Sequence, residues 1–390
     1  MKLGVLGGGQ LGAMLIRSAI DFGLKVAVLD KNPDAPAAQY ISRFSVGDPM
    51  SYEAVLAFGR TVDVLTIEQE AVNVKALQQL ELEGIQVYPS AGMVGAIQNK
   101  WIQKKTLESA GIPVVPGIQV ANRDALYEHA GKLPGCLKLC TQGYDGKGVM
   151  MIREVADIAH AFDAPSVLEE LVDIKQELSV IVSRNAHGEM ACYDPVLMIF
   201  DKERFLLDFQ ACPAGIAPQK VVEACDLALK VAETLDFVGI LAVEMFVTAD
   251  DRLLVNELAP RPHNSGHHTI EACTTSQYEQ HLRAILGLPL GDTSTLFPSV
   301  MINLLEPAAQ HRPHMLQAID RLLTMPGVHL HWYGKSGGNE GRKMGHITII
   351  DDTIEAALSK AAKIRHLMKP VDETAGTFAH STIQNHATTT

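Results

Sequence analysis

The sequence has no apolar run approaching the roughly 20 residues that span a bilayer. It also has no Cys-x-x-Cys pair and no excess of basic charge. Each absence removes a class of function. The first leaves no transmembrane helix to account for. The third is quantitative: 33 Lys and Arg stand against 45 Asp and Glu, a formal net charge of -12. Such a chain is not built to coat nucleic acid or to lie on an anionic membrane, where a basic face is required, and neither partner is expected. A local basic pocket for a phosphorylated small molecule stays open to it. The six cysteines are dispersed in apolar segments, with Cys136 and Cys140 the nearest pair. They read as reduced thiols rather than as a disulfide framework or a metal site. Met1 to Gly12 lack the basic stretch and long apolar run of a signal peptide, so the cytoplasm is the expected location.

What is present is the composition of a folded chain: 390 residues, 47 % hydrophobic and 20 % charged. That length suggests two or three domains. Up to about residue 90, apolar runs at 3–6, 25–30, 62–67 and 85–88 alternate with helical pattern, most clearly at 11–22. This predicts an α/β unit with a parallel sheet covered on both faces. Ser90 then caps one predicted long helix, which carries Lys100, Lys104 and Lys105 and stops at Gly111 and Pro113. From about 114 to 185, short strands at 136–139, 149–153, 166–172 and 177–184 surround one helix. This α+β unit is too small to bury much core alone and should pack on a neighbour. Residues 238–247 and 253–258 predict a hairpin about Ala249-Asp250-Asp251. Strand patterns at 300–305, 329–333 and 346–350 and a helix over 352–367 complete the chain, with no internal repeat. The expected divisions are 1–99, 100–185, 186–300 and 301–390.

Gly7-Gly8-Gly9-Gln10-Leu11-Gly12 comes after the first strand and opens the first helix, and Asp30 ends the next strand. Three readings fit this spacing. The turn can be a dinucleotide fingerprint with amides aimed at phosphate, a cradle for a phosphate-bearing substrate, or glycines that serve the turn alone. The motifs downstream favour the second.

Lys138 interrupts an apolar strand, and Lys100 lies on the helix before it. An apolar strand does not bury an ammonium without an anion to meet it, unless the lysine snorkels at an edge. A nucleotide phosphate would serve. Gly143-Tyr144-Asp145-Gly146-Lys147-Gly148 precedes Val149 and lacks the Gly-Lys-Ser/Thr ending of a P-loop. Such a loop can close over phosphates and exclude water. Glu169-Glu170-Leu171-Val172, followed by Glu177, can offer backbone groups to adenine and a carboxylate to ribose, although glutamate pairs on exposed strands are common. The strongest signal is Val243-Glu244-Met245-Phe246 beside Val255-Asn256-Glu257-Leu258. Two glutamates and an amide that interrupt neighbouring apolar strands make a hard oxygen site, suited to Mg²⁺ and phosphate oxygens. Arg261, held between Pro260 and Pro262, can grip an oxyanion beside that site. His263 lies two residues on, while His268 reads as a surface or helix-cap histidine. Late in the chain, Lys335, Arg342 and Lys343 stand among glycines, a second anion site suited to a ribonucleotide phosphate. Together these residues describe an ATP-dependent ligase that activates a small acid as an acyl phosphate. Formate or an amino acid as the acid, or a non-catalytic nucleotide-binding protein, remain alternatives; an NAD oxidoreductase gives no account of the paired glutamates.

In this order the motifs resemble the PurK family, the ATP-dependent N5-carboxyaminoimidazole ribonucleotide synthetases of purine biosynthesis. The resemblance runs from the opening turn to about residue 375. It rests on Gly-Tyr-Asp-Gly-Lys-Gly from residue 143, Asn-Glu-Leu-Ala-Pro-Arg-Pro-His-Asn-Ser-Gly-His from residue 256 and Gly-Arg-Lys-Met-Gly-His from residue 341. It implies an ATP-grasp fold with an N-terminal Rossmann-like (pre-ATP-grasp) domain and a small C-terminal domain. ATP would be held by Lys100, Lys138, Gly143, Tyr144, Asp145, Gly146, Lys147, Gly148, Val149, Glu169, Glu170, Leu171, Val172, Glu177, Asn256 and Glu257. Glu244, Glu257 and Asn256 would hold Mg²⁺. Arg261 and His263 would manage bicarbonate and carboxyphosphate, with Tyr144, Asp145 and Lys335 also at the reacting centre. Gly9, Gln10, Leu11, Glu70, Lys335, Arg342 and Lys343 would contact aminoimidazole ribonucleotide. The resemblance further implies a homodimer. The chain departs from the family pattern at Ala71, where histidine is usual, at Leu197-Met198-Ile199-Phe200 and at Cys140-Thr141-Gln142.

Overall fold

The computed structural model describes residues 1–141, 143, 148–200, 207–335 and 338–369. Strands β1 (Lys2–Leu6), β2 (Lys25–Asp30), β3 (Phe44–Val46), β4 (Val64–Ile67) and β5 (Gln86–Tyr88) form a parallel sheet in the order β3-β2-β1-β4-β5. Helices α1 (Gln10–Asp21), α2 (Tyr52–Gly59) and α3 (Val74–Leu82) connect its strands. The central strands are apolar because both faces are covered: Leu3, Val5, Leu6, Val64, Leu65 and Ile67 are all fully buried. The short strand β3 carries too weak an apolar pattern to be read from sequence.

The single long helix expected from Ser90 to Gly111 is two helices. Ser90 caps α4 (Ala91–Ile97), and Asn99 caps α5 (Lys100–Ser109), accepting from the amides of Trp101 at 3.0 Å and Ile102 at 3.2 Å. An Asn at that position offers the amides a better partner than helical continuation does. Gln98, in the break, donates to the carbonyls of Glu70 and Val72. Lys100 and Lys104, one turn apart on α5, share a face.

A four-stranded antiparallel sheet comes next, built from β6 (Gly117–Val120), β7 (Gly135–Leu139), β8 (Val149–Ile152) and β9 (Ser166–Glu170) in the order β6-β9-β7-β8, with α6 (Arg123–Glu128) on one side. Its own core is small, centred on Val120, Leu126, Leu137, Ile152, Ile158 and Leu168. The remaining strands are β10 (Ile174–Arg184), β11 (Met190–Cys192), β12 (Val196–Phe200), β13 (Leu207–Cys212), β14 (Gly239–Thr248), β15 (Leu253–Ala259), β16 (Ser299–Leu305), β17 (Val328–Trp332) and β18 (Lys343–Ile350). Among the described residues these make one nine-stranded sheet in the order β15-β14-β10-β12-β13-β16-β18-β17, with β11 on β10. The sheet runs unbroken across residue 300, since β13 pairs with β16. Helix α7 (Pro218–Thr234) packs on β10 and β14, and α8 (Thr269–Ala272) and α9 (Gln277–Ile285) lead from β15 back toward the parallel sheet. Helices α10 (Arg312–Leu322) and α11 (Ile354–Met368) cover the late strands. Tyr278, Leu282 and Ile285 of α9 share a core with Leu11, Leu15 and Ile16 of α1 and with Tyr333. The N-terminal sheet, the middle of the chain and its late strands are thereby joined. All six cysteines are free thiols. No helix among the described residues is long and apolar enough to cross a membrane.

Candidate active site

The β14–β15 hairpin sets the floor of the site. Glu244 lies opposite Glu257, and then Met245 lies opposite Val255. Asn256 is therefore the extra residue of a β-bulge. The bulge suspends the alternation of faces, so that Asn256 and Glu257 both leave the core while Val255 and Leu258 stay in it. Asn256 Oδ1 accepts from Lys138 Nζ at 2.7 Å, and Glu257 Oε1 meets Lys100 Nζ at 2.5 Å. The strand lysine of the small sheet and the first lysine of α5 thus converge on neighbouring residues of the hairpin.

Beneath them lies a buried triad. Glu169 meets Lys138 through one carboxylate oxygen and Lys104 through the other, each at 2.7 Å. Lys104 also donates to the carbonyl of Val115. Burial alone would push Glu169 up, but the two ammonium groups hold it below the ordinary carboxylate range. Burial likewise opposes the Lys138 charge, and Glu169 more than offsets it, leaving the lysine above its usual value. Two lysines on one glutamate leave a net positive charge inside the cleft, which an incoming anion can meet. Sequence reasoning does not single out Lys104 as a site residue. Its signal is the four-residue spacing from Lys100.

The opposite charge gathers beside this. Glu244 is pushed up to about 8 by burial, then by Glu257 and Glu177, with Lys100 and Lys138 opposing. Burial also raises Glu177. Two facing glutamates with a third nearby are a place where a cation restores full ionisation.

The chain then turns from β15 into Arg261 and His263. Arg261 Nη2 pairs with Glu70 Oε1 at 2.8 Å. His263 Nε2 lies 3.5 Å from Glu244 Oε1, and its Nδ1 meets Ser265 Oγ at 2.9 Å. Gln277 clamps the His263 backbone, accepting from its amide at 2.9 Å and donating to its carbonyl at 2.8 Å. His267 and His268, the latter expected at the surface or as a cap, are both buried, 1 % and 2 % exposed. His268 still stands at the N-terminus of α8, but its side chain caps nothing; its ring lies between Gln210 and the Ser265 carbonyl. A polar run after a β-strand reads as exposed, and the packing of β13, β18 and α9 around it reverses that.

The N-terminal turn already cradles an anion of the chain's own. Glu68 is buried under it and accepts from the Leu11 amide at 3.2 Å. A Cβ at Gly9 would stand 2.4 Å from Glu68 Oε1, and one at Gly7, where φ is +103°, would stand 2.6 Å from Oε2. The Gly8 amide donates to Asp30 Oδ2 at 2.6 Å. The glycines therefore admit a carboxylate from the end of β4 at the helix N-terminus, which none of the three readings of the turn anticipates. Burial, with Asp30 adding to it, pushes Glu68 up to about 7 against the pull of Arg261 and the turn amides. Sequence reasoning misses Glu68 as a site residue; its signal is its place beside Glu70 at the end of β4. Gly9 and Gln10 remain half-buried at the cleft.

The late cations gather on one loop. Lys335 Nζ donates to the Lys343 carbonyl at 2.8 Å and lies 5.4 Å from the Tyr333 ring centre, while Arg342 is exposed. Gly334, at φ +68°, lies against Gln39 of the N-terminal unit, so this loop faces the glycine turn's side of the molecule. Gly143, Gly148 and Val149 are described at the ends of the glycine-rich segment, while its Tyr144, Asp145, Gly146 and Lys147 lie outside the described residues. Glu170, Leu171 and Val172 run out of the small sheet, with Glu170 and Leu171 exposed. Of the departures from the family pattern, Ala71 is exposed beside Glu70, and Leu197 to Phe200 lie within β12, paired with β10 and β13.

Three family models match the chain: a ribonucleotide synthetase preATP-grasp domain over 1–98, an ATP-grasp domain over 105–278 and a phosphoribosylaminoimidazole carboxylase C-terminal domain over 299–360. The N5-carboxyaminoimidazole ribonucleotide synthase of Bacillus subtilis is 39 % identical over 354 residues, covering 89 % of this chain and 91 % of the relative. The chain belongs to this synthase family. The crystal structure of the family's Thermotoga maritima synthetase matches with a TM-score of 0.85 at 38 % identity, covering 94 % of this chain and 98 % of that one. The Aspergillus clavatus synthase, solved with ADP and 5-aminoimidazole ribonucleotide, matches with a TM-score of 0.87 at 34 % identity, covering 94 % and 98 %. The ATP-grasp fold with its preATP-grasp and C-terminal parts, expected from the motifs, is the fold of this family.

Proposed function

We propose that the protein is an ADP-forming ligase that uses ATP and bicarbonate to carboxylate 5-aminoimidazole ribonucleotide, giving N5-carboxyaminoimidazole ribonucleotide in purine biosynthesis. One observation carries the reading: Lys100, Lys138, Glu244 and Glu257 meet in a cleft that His263 enters directly beside Glu244. Lys100 and Lys138 take the nucleotide phosphates, with Gly143 to Val149 counted among the ATP-binding residues. Glu170, Leu171 and Val172 offer the adenine its backbone partners, and Glu177 holds the ribose.

Glu244, Glu257 and Asn256 suit Mg²⁺. No group of three His, Cys, Asp or Glu side chains among the described residues makes a metal cage, and Mg²⁺ characteristically takes one or two carboxylates plus substrate phosphates. When bound, the ion supplies neutralisation of the phosphate charge.

A bicarbonate oxygen attacks the γ-phosphorus, forming carboxyphosphate and ADP. Arg261 steadies the anion. The ribonucleotide amine then attacks the carboxyl carbon, phosphate leaves with the bridging oxygen, and His263 takes the amine proton. Carboxyphosphate is short-lived in water, so capture needs a closed site and a nearby amine. Gly9, Gln10, Leu11, Glu70, Lys335, Arg342 and Lys343, with Tyr144 and Asp145, orient the ribonucleotide. Division into 1–99, 100–185, 186–300 and 301–390, a homodimer and a cytoplasmic location complete the reading. Free thiols throughout support the last.

ADP release tests this. With Mg²⁺ and bicarbonate, ribonucleotide should stimulate release at least about tenfold, roughly 1.4 kcal/mol or more of barrier, and chelation of Mg²⁺ should abolish it. Release with formate in place of bicarbonate, or nucleotide binding without turnover, would overturn the reading.

A further inference from the structure

Three imidazoles lie face to face behind the substrate cleft. His331 on β17 and His346 on β18 are register partners, with ring centres 4.3 Å apart and planes 8° apart. His267, a few residues past the Arg261–His263 segment, stacks on the other side of His346 at 4.5 Å and 28°. His267 and His346 are 1 % and 0 % exposed.

The tautomer of His267 is fixed by its partners. Gln277 is oriented by the His263 backbone, so its Nε2 can only donate, at 3.3 Å to His267 Nδ1. Tyr278 Oη donates to the same nitrogen at 3.1 Å. Tyr333 Oη and His346 Nδ1 share a hydrogen bond at 2.8 Å, and burial holds the phenol above its usual value, so it stays protonated. His267 therefore accepts at Nδ1 and carries its hydrogen at Nε2. Burial also pushes His267 and His346 well below the usual histidine range, so they stay neutral. His331 Nε2 meets Glu271 Oε1 at 2.6 Å at the outer end. The other charged or titratable neighbours are Arg17 near His346, and His263, His268 and Lys343 near His267.

The column ties together stretches that are remote in sequence. Lys335 comes two residues after Tyr333, Lys343 precedes His346 by three, and Arg261 and His263 precede His267 by six and four. We propose that His267, His346 and His331, with Tyr333, are positioning residues that lock the ribonucleotide-holding loop of β17–β18 onto the segment bearing Arg261 and His263. An apolar stack would fill the same space but would leave the Tyr333 and Tyr278 hydroxyls buried without partners and the loop without a fixed register. The proposal rests on the reading of Lys335, Arg342 and Lys343 as ribonucleotide contacts.

The test uses the full chain with two substitutions, Tyr333→Phe and His346→Asn. The first removes one hydroxyl and leaves the stack. The second keeps an acceptor near Nδ1 and removes the ring. The expected result is a rise in KM for the ribonucleotide of about tenfold in His346→Asn and severalfold in Tyr333→Phe, the scale of a lost buried hydrogen bond. The KM for ATP and kcat should stay within about twofold of the parent. Parallel rises in both KM values, or a fall in kcat with the ribonucleotide KM unchanged, would overturn the proposal. Should His346→Asn fail to fold, Tyr333→Phe alone decides. Calorimetry of ribonucleotide binding to the unsubstituted protein separates the two claims. No binding there defeats the functional reading and the proposal together, whereas equal binding by parent and variants defeats the proposal alone.

Discussion

Glu68 shows how one residue can be plain in the sequence and opaque in its role. It sits two places before Glu70 and reads as part of a mixed strand end. Its carboxylate is placed by contacts across 57 residues of chain, under a turn whose glycines make room for it. Its folded value of about 7 lies above its ordinary 4.5, so the native state holds the proton more tightly than the unfolded chain does. The stability this confers is fully present below about pH 4.5 and is lost as pH rises through 7. Over that window the loss is roughly 3 kcal/mol at about 1.4 kcal/mol per pH unit. Glu68→Gln should flatten the slope and leave the variant more stable than its parent above about pH 7. Urea denaturation across about pH 5 to 8 checks this, and an unchanged slope would refute it. His267 and His268 teach the same lesson in reverse. A polar run was legible, but the burial of His267 depends on a strand that arrives much later in the chain, and that of His268 on Gln210 of β13.

At the scale of elements, most of the fold was legible where periodicity was strong. The parallel strands, the 239–248 and 253–259 hairpin and the late strands fall close to where the apolar runs predict them. The α4–α5 break was not legible, because helical pattern continues through residues 98 and 99 and only the capping chemistry of Asn99 reveals the stop. The bulge at Asn256 was equally hidden, since register is a property of two strands and not of one. Both features touch the site: the break starts α5 at Lys100, and the bulge adds Asn256 to Glu257. Asn99→Ala should cost about 1 kcal/mol of stability, the usual worth of such a cap. It should also raise the KM for ATP severalfold, because the first turn of α5 carries Lys100. A thermal melt and ATP kinetics check both, and a stability loss with ATP kinetics unchanged would separate the cap from the site.

At the scale of the whole molecule, charge is divided with purpose. The chain is acidic overall, yet Lys100, Lys104 and Lys138 gather in one cluster and Lys335, Arg342 and Lys343 on one late loop. Glu244 and Glu257 stand beside the first cluster, and Arg261 and His263 follow on the same stretch of chain. The continuous sheet from β15 to β17 and the shared core of α1, α9 and Tyr333 hold these groups on one frame. That frame suits a two-step transfer in which an acid is phosphorylated at one end and captured by an amine from the other. The most direct test traces the oxygen. With bicarbonate labelled with oxygen-18, ATP, Mg²⁺ and 5-aminoimidazole ribonucleotide, one labelled oxygen should appear in the phosphate released as the carboxylated product forms. Carboxylated product accompanied by unlabelled phosphate would contradict phosphorylation of bicarbonate at this site.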